Sequence, residues 1–229
     1  MITQPALDAS RPLGRDDLAR LVAADIPAGS YVNLGIGQPI RVADFLDPVG
    51  GVILHTENGM LGMGPRAYGD DIDPELINAG KIPVTETPGA AYFHAADSFA
   101  MMRGGHLDVC VLGAFQVSFD GDLANWHTDA PDAIPAVGGA MDLAIGAKHV
   151  FVVMTLFGKD GSPKLVPSCT YPLTGVACVS RVYTDYGVFE LTDHGVMARE
   201  TYGLSRDDLA ERLQITFQGA GADSGHGGP

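Results

Sequence analysis

The sequence predicts an α/β fold: a mostly parallel, open sheet flanked by helices, in a single domain. Two observations carry this. Asp108 to Leu112 (DVCVL) and His149 to Thr155 are nearly continuous apolar runs, the signature of strands whose two faces are both covered. Around them, segments with helical spacing alternate with apolar runs across glycine turns, the order expected when helices connect parallel strands. Length and composition agree. The chain has 229 residues, 46% hydrophobic and 18% charged, with 30 glycines, enough for one large cored domain and unlike a disordered chain.

Along the chain, residues 1–12 read as a loose arm, 13–217 as the folded domain and 218–229 as a disordered glycine-rich tail. Arg15 to Ala24 places Leu18, Leu21 and Val22 at the spacing of an amphipathic helix. Tyr31 to Ile36 is a strand ending in Gly35-Ile36-Gly37-Gln38-Pro39. Ile40 stands where a dinucleotide fingerprint needs its third glycine, so a nicotinamide cofactor is rejected. Pro39 instead opens a helix through Phe45, at a position where its missing N–H costs nothing. A strand at 52–54 precedes a glycine loop, and a helix is expected from Pro74 to Gly80. Ser98 to Arg103 and Met141 to Ala147 read as helices. Further strands fall at 176–183 and 188–191, the latter pairing with 196–199 across Thr192-Asp193-His194-Gly195. The last helix, 205–213, starts with Ser205 as cap and Asp207 and Asp208 in its first turn.

Charge and residue spacing exclude several functions. There are 28 acidic and 14 basic residues, a formal net charge of −14, and no basic stripe, which argues against nucleic-acid binding. His55, His94, His106, His127, His149 and His194 fall into no metal-ligand spacing, so no metal is expected. Cys110, Cys169 and Cys178 are unpaired in sequence and read as buried thiols of a reducing compartment. The N-terminus does not read as a secretory signal. No apolar run approaches the roughly 20 residues of a membrane span. A cytoplasmic protein without a membrane partner is the expectation.

The stretch with the most chemistry is Val52 to Pro65, VILHTENGMLGMGP. A short β-branched run stops at Glu57-Asn58-Gly59, and Gly62, Gly64 and Pro65 follow. In open α/β sheets ligands bind beyond the carboxyl ends of strands, so Glu57 would stand at the mouth of such a crevice. Asn58 either orients Glu57 or takes up a left-handed turn conformation. His55, two residues earlier on an extended segment, points to the same side. Glu75, Glu86 and Glu190 lack a glycine-framed approach and read as surface or structural.

HTENGMLGMGP resembles the Glu-Asn-Gly signature of family I CoA-transferases, in their B (beta) subunits. So do YVNLGIGQP (31–39), INAGK (77–81), DSFAMMRGGH (97–106), LGAFQVSFDGDLANW (112–126), VGGAMDLAIGAKHV (137–150) and KDGSPK (159–164), in the same order. The resemblance covers about Leu13 to Phe217. It implies the CoA-transferase fold, shared in outline with sugar-phosphate isomerases, with Glu57 as nucleophile forming a glutamyl-CoA thioester. It also implies Gly138 as the backbone N–H facing the thioester oxygen; read alone, Gly138-Gly139 is equally a tight turn. Gly59, Gly62 and Gly139 would frame the substrate. No cofactor is implied, since CoA thioester is a substrate. An A subunit is the implied partner, in an A2B2 heterotetramer, because the other glycine-rich loop of the site belongs to that partner.

Two longer blocks, GDLANWHTDAPDAIPAVGGAMDLAIGAKHVFVV and SCTYPLTGVACVSRVYTD, resemble the branch acting on 3-oxoadipate and succinyl-CoA, in aromatic degradation, more than the acetoacetate branch. A dicarboxylic oxoacid needs a cation or N–H donors for its second carboxylate, and Arg66 and His127 are the candidates near the signature loops. Thr155-Leu156-Phe157-Gly158 departs from the Glu-His pair found in many members, which leaves substrate choice open. A non-catalytic ligand sensor on the same fold is the rival from another class.

Overall fold

The computed structural model describes residues 7–128 and 137–219. In chain order the elements are α1 (Arg15–Asp25), β1 (Tyr31–Leu34), a 3-10 helix (Gln38–Phe45), β2 (Ile53–Thr56), β3 (Met60–Arg66), a short 3-10 turn (Gly69–Asp71), β4 (Val84–Tyr92), α2 (Ala95–Arg103), β5 (Val109–Gly113), β6 (Gln116–Ser118), β7 (Leu123–Ala124), α3 (Ala140–Gly146), β8 (His149–Val153), β9 (Leu165–Val166), β10 (Val179–Thr184), β11 (Gly187–Thr192), β12 (Gly195–Thr201) and α4 (Arg206–Leu213).

Nine strands form one sheet in the order β12-β11-β10-β8-β5-β1-β2-β3-β4. The central run β10-β8-β5-β1-β2 is parallel throughout. Antiparallel strands finish both edges, β11 and β12 on one side and β3 and β4 on the other. A separate small sheet, β7-β6-β9, is laid down by the loops after β5 and β8. Chain direction across the large sheet reverses at β1, whose successor β2 lies on one flank while β5 lies on the other.

Alternation along the parallel strands explains their apolar runs. Val109 and Val111 of β5 join the core under α1, whereas Cys110 and Leu112 join the core under α2, α3 and α4. In β8, Phe151 and Val153 face the first core, and Val150 and Val152 face the second. Side chains of period two thus feed two apolar layers from β5 and β8, and a polar residue at these positions would need a buried partner. α1 buries Leu18, Ala19, Val22 and Ala23. α4 buries Leu209 and Leu213, and Ser205 and Asp208 close a reciprocal capping box at its start.

Most element expectations agree with these bounds, and three differ. The glycine loop after Glu57 is strand β3, paired with β4; glycines carry no strand signal, yet here they let two strands approach closely. No helix forms between Pro74 and Gly80. That segment is held by turns instead, with Asn78 Oδ1 accepting from the backbone N–H groups of Gly80 (2.9 Å) and Ile82 (3.1 Å), a local bond that competes with helix formation. The 39–45 segment is a 3-10 helix rather than an α-helix. Part of the N-terminal arm is fastened down: Ala9 O accepts from Gly203 N–H (2.9 Å) and Leu13 N–H bonds Asp185 O (2.7 Å). Residues 220–229 lie outside the described residues. Among the described residues no helix is long and apolar enough to cross a membrane.

Candidate active site

The carboxyl ends of four neighbouring parallel strands open into one cavity of about 910 Å³. β1 delivers Leu34 to Gln38, β2 delivers Glu57, β5 delivers Leu112 to Phe115, and β8 delivers Val153 to Thr155. The chain reversal at β1 creates this crevice, because the loops following β1 and β5 leave to opposite sides of the sheet. Val137, Gly138, Gly139 and Ala140, at the start of α3, form a further wall.

Glu57 sits between the end of β2 and this wall. Its carboxylate accepts the backbone N–H of Gly139. A Cβ on residue 139 would lie 2.5 Å from Glu57 Oε2 and 2.7 Å from Cδ, closer than real contacts allow, so only glycine lets the backbone meet the carboxylate. Burial pushes the Glu57 pKa up, and the Asp142 carboxylate on α3 pushes it further; the Gly139 N–H opposes both. Asp142 is itself held by Arg103 Nε at 2.5 Å. The result is a carboxylate that is poorly solvated, with one donor already aimed at it.

Beneath Glu57 lies a buried polar chain. Ser98 Oγ donates its one hydrogen to Thr56 O (3.1 Å) and therefore accepts from His55 Nε2–H (2.9 Å). Asn33 Nδ2 donates to both His55 O (3.2 Å) and His55 Nδ1 (3.0 Å). These roles fix a neutral imidazole carrying its proton on Nε2. Burial lowers the His55 pKa to about 4, in agreement. The chain ties β1, β2 and α2 together at His55 and Thr56, the two residues before Glu57. Asn33 also lines the main cavity.

The candidates from sequence divide. Glu57, Gly138 and Gly139 line the cavity together. Gly139 is the glycine in contact with the carboxylate, and Gly138, at φ +52°, has no atom of the described residues near its missing Cβ. Asn58 is exposed and donates to Ile77 O (2.9 Å), not to Glu57. Gly59 turns the chain at φ +113°, and a Cβ there would be 2.1 Å from Phe93 O; it packs β3 against the segment after β4. Gly62 likewise abuts Thr87 and Ala90 on β4. Neither lines the cavity. Arg66 is exposed at the far end of β3, its guanidinium over the Tyr68 ring (5.3 Å), because β3 runs away from the carboxyl end of β2. His127 packs against Trp126 (5.4 Å between centroids), and of that pair Trp126 is the one lining the cavity.

Sequence reasoning missed Asn33, Asn125, Lys164, Arg15 and Arg41, all of which line the cavity. Only Asn33 carried a local signal, a polar residue inside the strand YVNL, where apolar neighbours on both sides make it stand out. The others arrive by tertiary packing. Among the described residues no cluster of His, Cys, Asp and Glu could hold a metal ion.

The coenzyme A transferase family profile matches residues 15–202. The chain is 61% identical over 191 residues to the B subunit of 3-oxoadipate CoA-transferase from Pseudomonas putida, covering 83% of this chain and 89% of that protein. It is 57% identical over 206 residues to the protein of the same name from Acinetobacter baylyi, covering 90% and 95%. In fold it is similar to the acyl-CoA transferase YdiF apoenzyme of Escherichia coli O157:H7, with a TM-score of 0.67 at 19% identity. That alignment covers 93% of this chain but only 42% of the longer YdiF chain. Profile, identities and fold together leave one conclusion: the chain belongs to the coenzyme A transferase family.

Proposed function

We propose that this chain is the B component of a 3-oxoadipate CoA-transferase, moving CoA from succinyl-CoA to 3-oxoadipate with Glu57 as the nucleophile. The observation that carries the reading is the contact between Glu57 and the Gly139 N–H within the cavity. Identities of 61% and 57% to two proteins of that name support the substrate.

In this reading a Glu57 oxygen attacks the thioester carbonyl of succinyl-CoA. The C–S bond breaks, CoA leaves as thiolate, and a mixed anhydride remains on Glu57. The thiolate then attacks the glutamyl carbonyl and expels succinate, leaving a glutamyl-CoA thioester. 3-Oxoadipate carboxylate reverses the two steps. Covalent catalysis divides one difficult exchange into easier ones. Partial burial suits the nucleophile, since a carboxylate stripped of water attacks more readily. The N–H groups at Gly138 and Gly139 serve the oxyanion that forms on the glutamyl carbon. His55 stays neutral and sets the position of the β2 end.

A separate A subunit completes the site, in an A2B2 assembly. Both named relatives are B subunits, and the cavity mouth here carries apolar side chains open to solvent, Ile36 at 68% and Phe115 at 40% exposure. The chain's net charge of −14 also makes help with CoA's phosphates from another chain reasonable.

The test is turnover by this chain co-purified with an A subunit, with succinyl-CoA as donor and 3-oxoadipate or acetoacetate as acceptor. The reading expects transfer to 3-oxoadipate with the higher kcat/KM and no transfer by this chain alone. Preference for acetoacetate would overturn the substrate assignment.

A further inference from the structure

Three cationic side chains line the cavity: Arg15, Arg41 and Lys164. Arg15 and Arg41 are exposed, on α1 and the 3-10 helix, and Arg41 is paired with Asp16. Lys164 is different. It stands immediately before β9, where its N–H bonds Leu156 O (2.9 Å) and its carbonyl accepts from Val117 N–H (2.9 Å). With the backbone pinned on both sides, its side chain has a set origin beside the ends of β8 and β5. The residue is half-buried, and among the described residues no carboxylate comes within ion-pair distance of its ammonium. Asp185 acts on it only at longer range, and burial pushes its pKa below the ordinary lysine value. The Asp185 carboxylate is already engaged by the Leu156 N–H at 2.8 Å.

A partly desolvated ammonium without a counter-ion among the described residues, in a cavity that also holds the carboxylate Glu57, is poised for an anion supplied by the ligand. The neighbouring wall includes Phe115, Leu112 and Met154, suited to a short methylene chain. One positive charge in such surroundings matches a single carboxylate at the end of that chain. The more highly charged, better-hydrated phosphates of CoA match the exposed arginines instead.

We propose that Lys164 is the specificity-determining cation of this site, receiving the distal carboxylate of a dicarboxylic acid whose other carboxylate reacts at Glu57. The inference rests on the transferase reading above and deepens it. Arg66, which stacks on Tyr68 outside the cavity, has no part in this selection.

The test compares 3-oxoadipate with 3-oxohexanoate, which has the same chain with a methyl group in place of the distal carboxylate. The complex with the A subunit is loaded with CoA from acetoacetyl-CoA, and its single-turnover discharge by each acid is followed, so that the donor's own carboxylate is left out. In Lys164→Met the 3-oxoadipate to 3-oxohexanoate ratio of rate constants falls about 100-fold, the scale of a lost charge-assisted contact. Lys164→Arg restores part of the ratio, and Arg66→Ala leaves it unchanged. A ratio that does not move in Lys164→Met, in protein whose thermal unfolding matches the wild type, overturns the proposal. So does a weakened KM for CoA thioesters whatever their acyl group, which assigns Lys164 to the CoA phosphates. A wild-type complex that takes up no CoA defeats the transferase reading itself, and the inference falls with it.

Discussion

Gly139 and Glu57 are fitted to each other: the residue-139 backbone donates to the Glu57 carboxylate, and a methyl group there would lie 2.5 Å from Oε2. Gly139→Ala should therefore abolish turnover, by more than about 100-fold, because it displaces the proposed nucleophile and its donor together. Gly138→Ala meets none of the described residues within 4 Å and bears only the cost of φ +52°, about 1–2 kcal/mol. Steady-state assays of both variants, with thermal unfolding as control, check the contrast. Equal losses at the two positions would contradict it.

Asp142 raises the Glu57 pKa by like-charge repulsion, second only to burial. Because Glu57 must be ionised to act as the proposed nucleophile, activity should be lost as pH falls through that raised pKa. Asp142→Asn removes the repulsion, so the acid limb of kcat/KM should move to lower pH. A pH–rate profile of the variant is the check, and a limb that stays in place would show that another group sets it.

His55 is neutral in the folded protein, with its pKa lowered to about 4 from 6.5. The unfolded chain binds the extra proton first, so stability is full above pH 6.5 and is lost as pH falls toward 4. The shift corresponds to roughly 3 kcal/mol at most. His55→Gln should be less stable than wild type at pH 8, with the gap closing by pH 4. Denaturant unfolding across that range would show a constant gap if the Asn33–His55–Ser98 chain did not hold the neutral ring.

Gly59 combines φ +113° with a close approach to Phe93 O. Gly59→Ala should cost more than about 2 kcal/mol, since strain and collision act together. A loss under about 0.5 kcal/mol would mean that the β2–β3 turn relaxes freely.

Much of this architecture was legible in the sequence. Apolar runs marked β5 and β8 because two-sided burial leaves no room for polar residues, and Ser205 and Asp208 announced α4. Glu57 was visible because a β-branched run stops at it. β3 was not legible, since Gly59, Gly62 and Gly64 are poor strand formers that only the facing strand β4 explains. Pro74 and Gly80 read as the start and stop of a helix, but the Asn78 turn outcompetes that local pattern. Gly138 and Gly139 were both named, but their division of labour depends on a φ angle and a contact no spacing encodes. The cations were misjudged for a similar reason. Arg66 is near Glu57 in sequence and leaves along β3, whereas Lys164 is 107 positions away and returns through the small sheet to line the cavity.

Covalent linkage of Glu57 to CoA is the step on which the proposed function turns. Mass spectrometry of the complex with its A subunit, incubated with succinyl-CoA and trapped with borohydride or hydroxylamine, tests it most directly. The expected result is a modification confined to the peptide containing Glu57 and absent from Glu57→Ala. An assembled complex that binds CoA yet yields no adduct at Glu57 would contradict it, and would move the non-catalytic sensor ahead of the transferase.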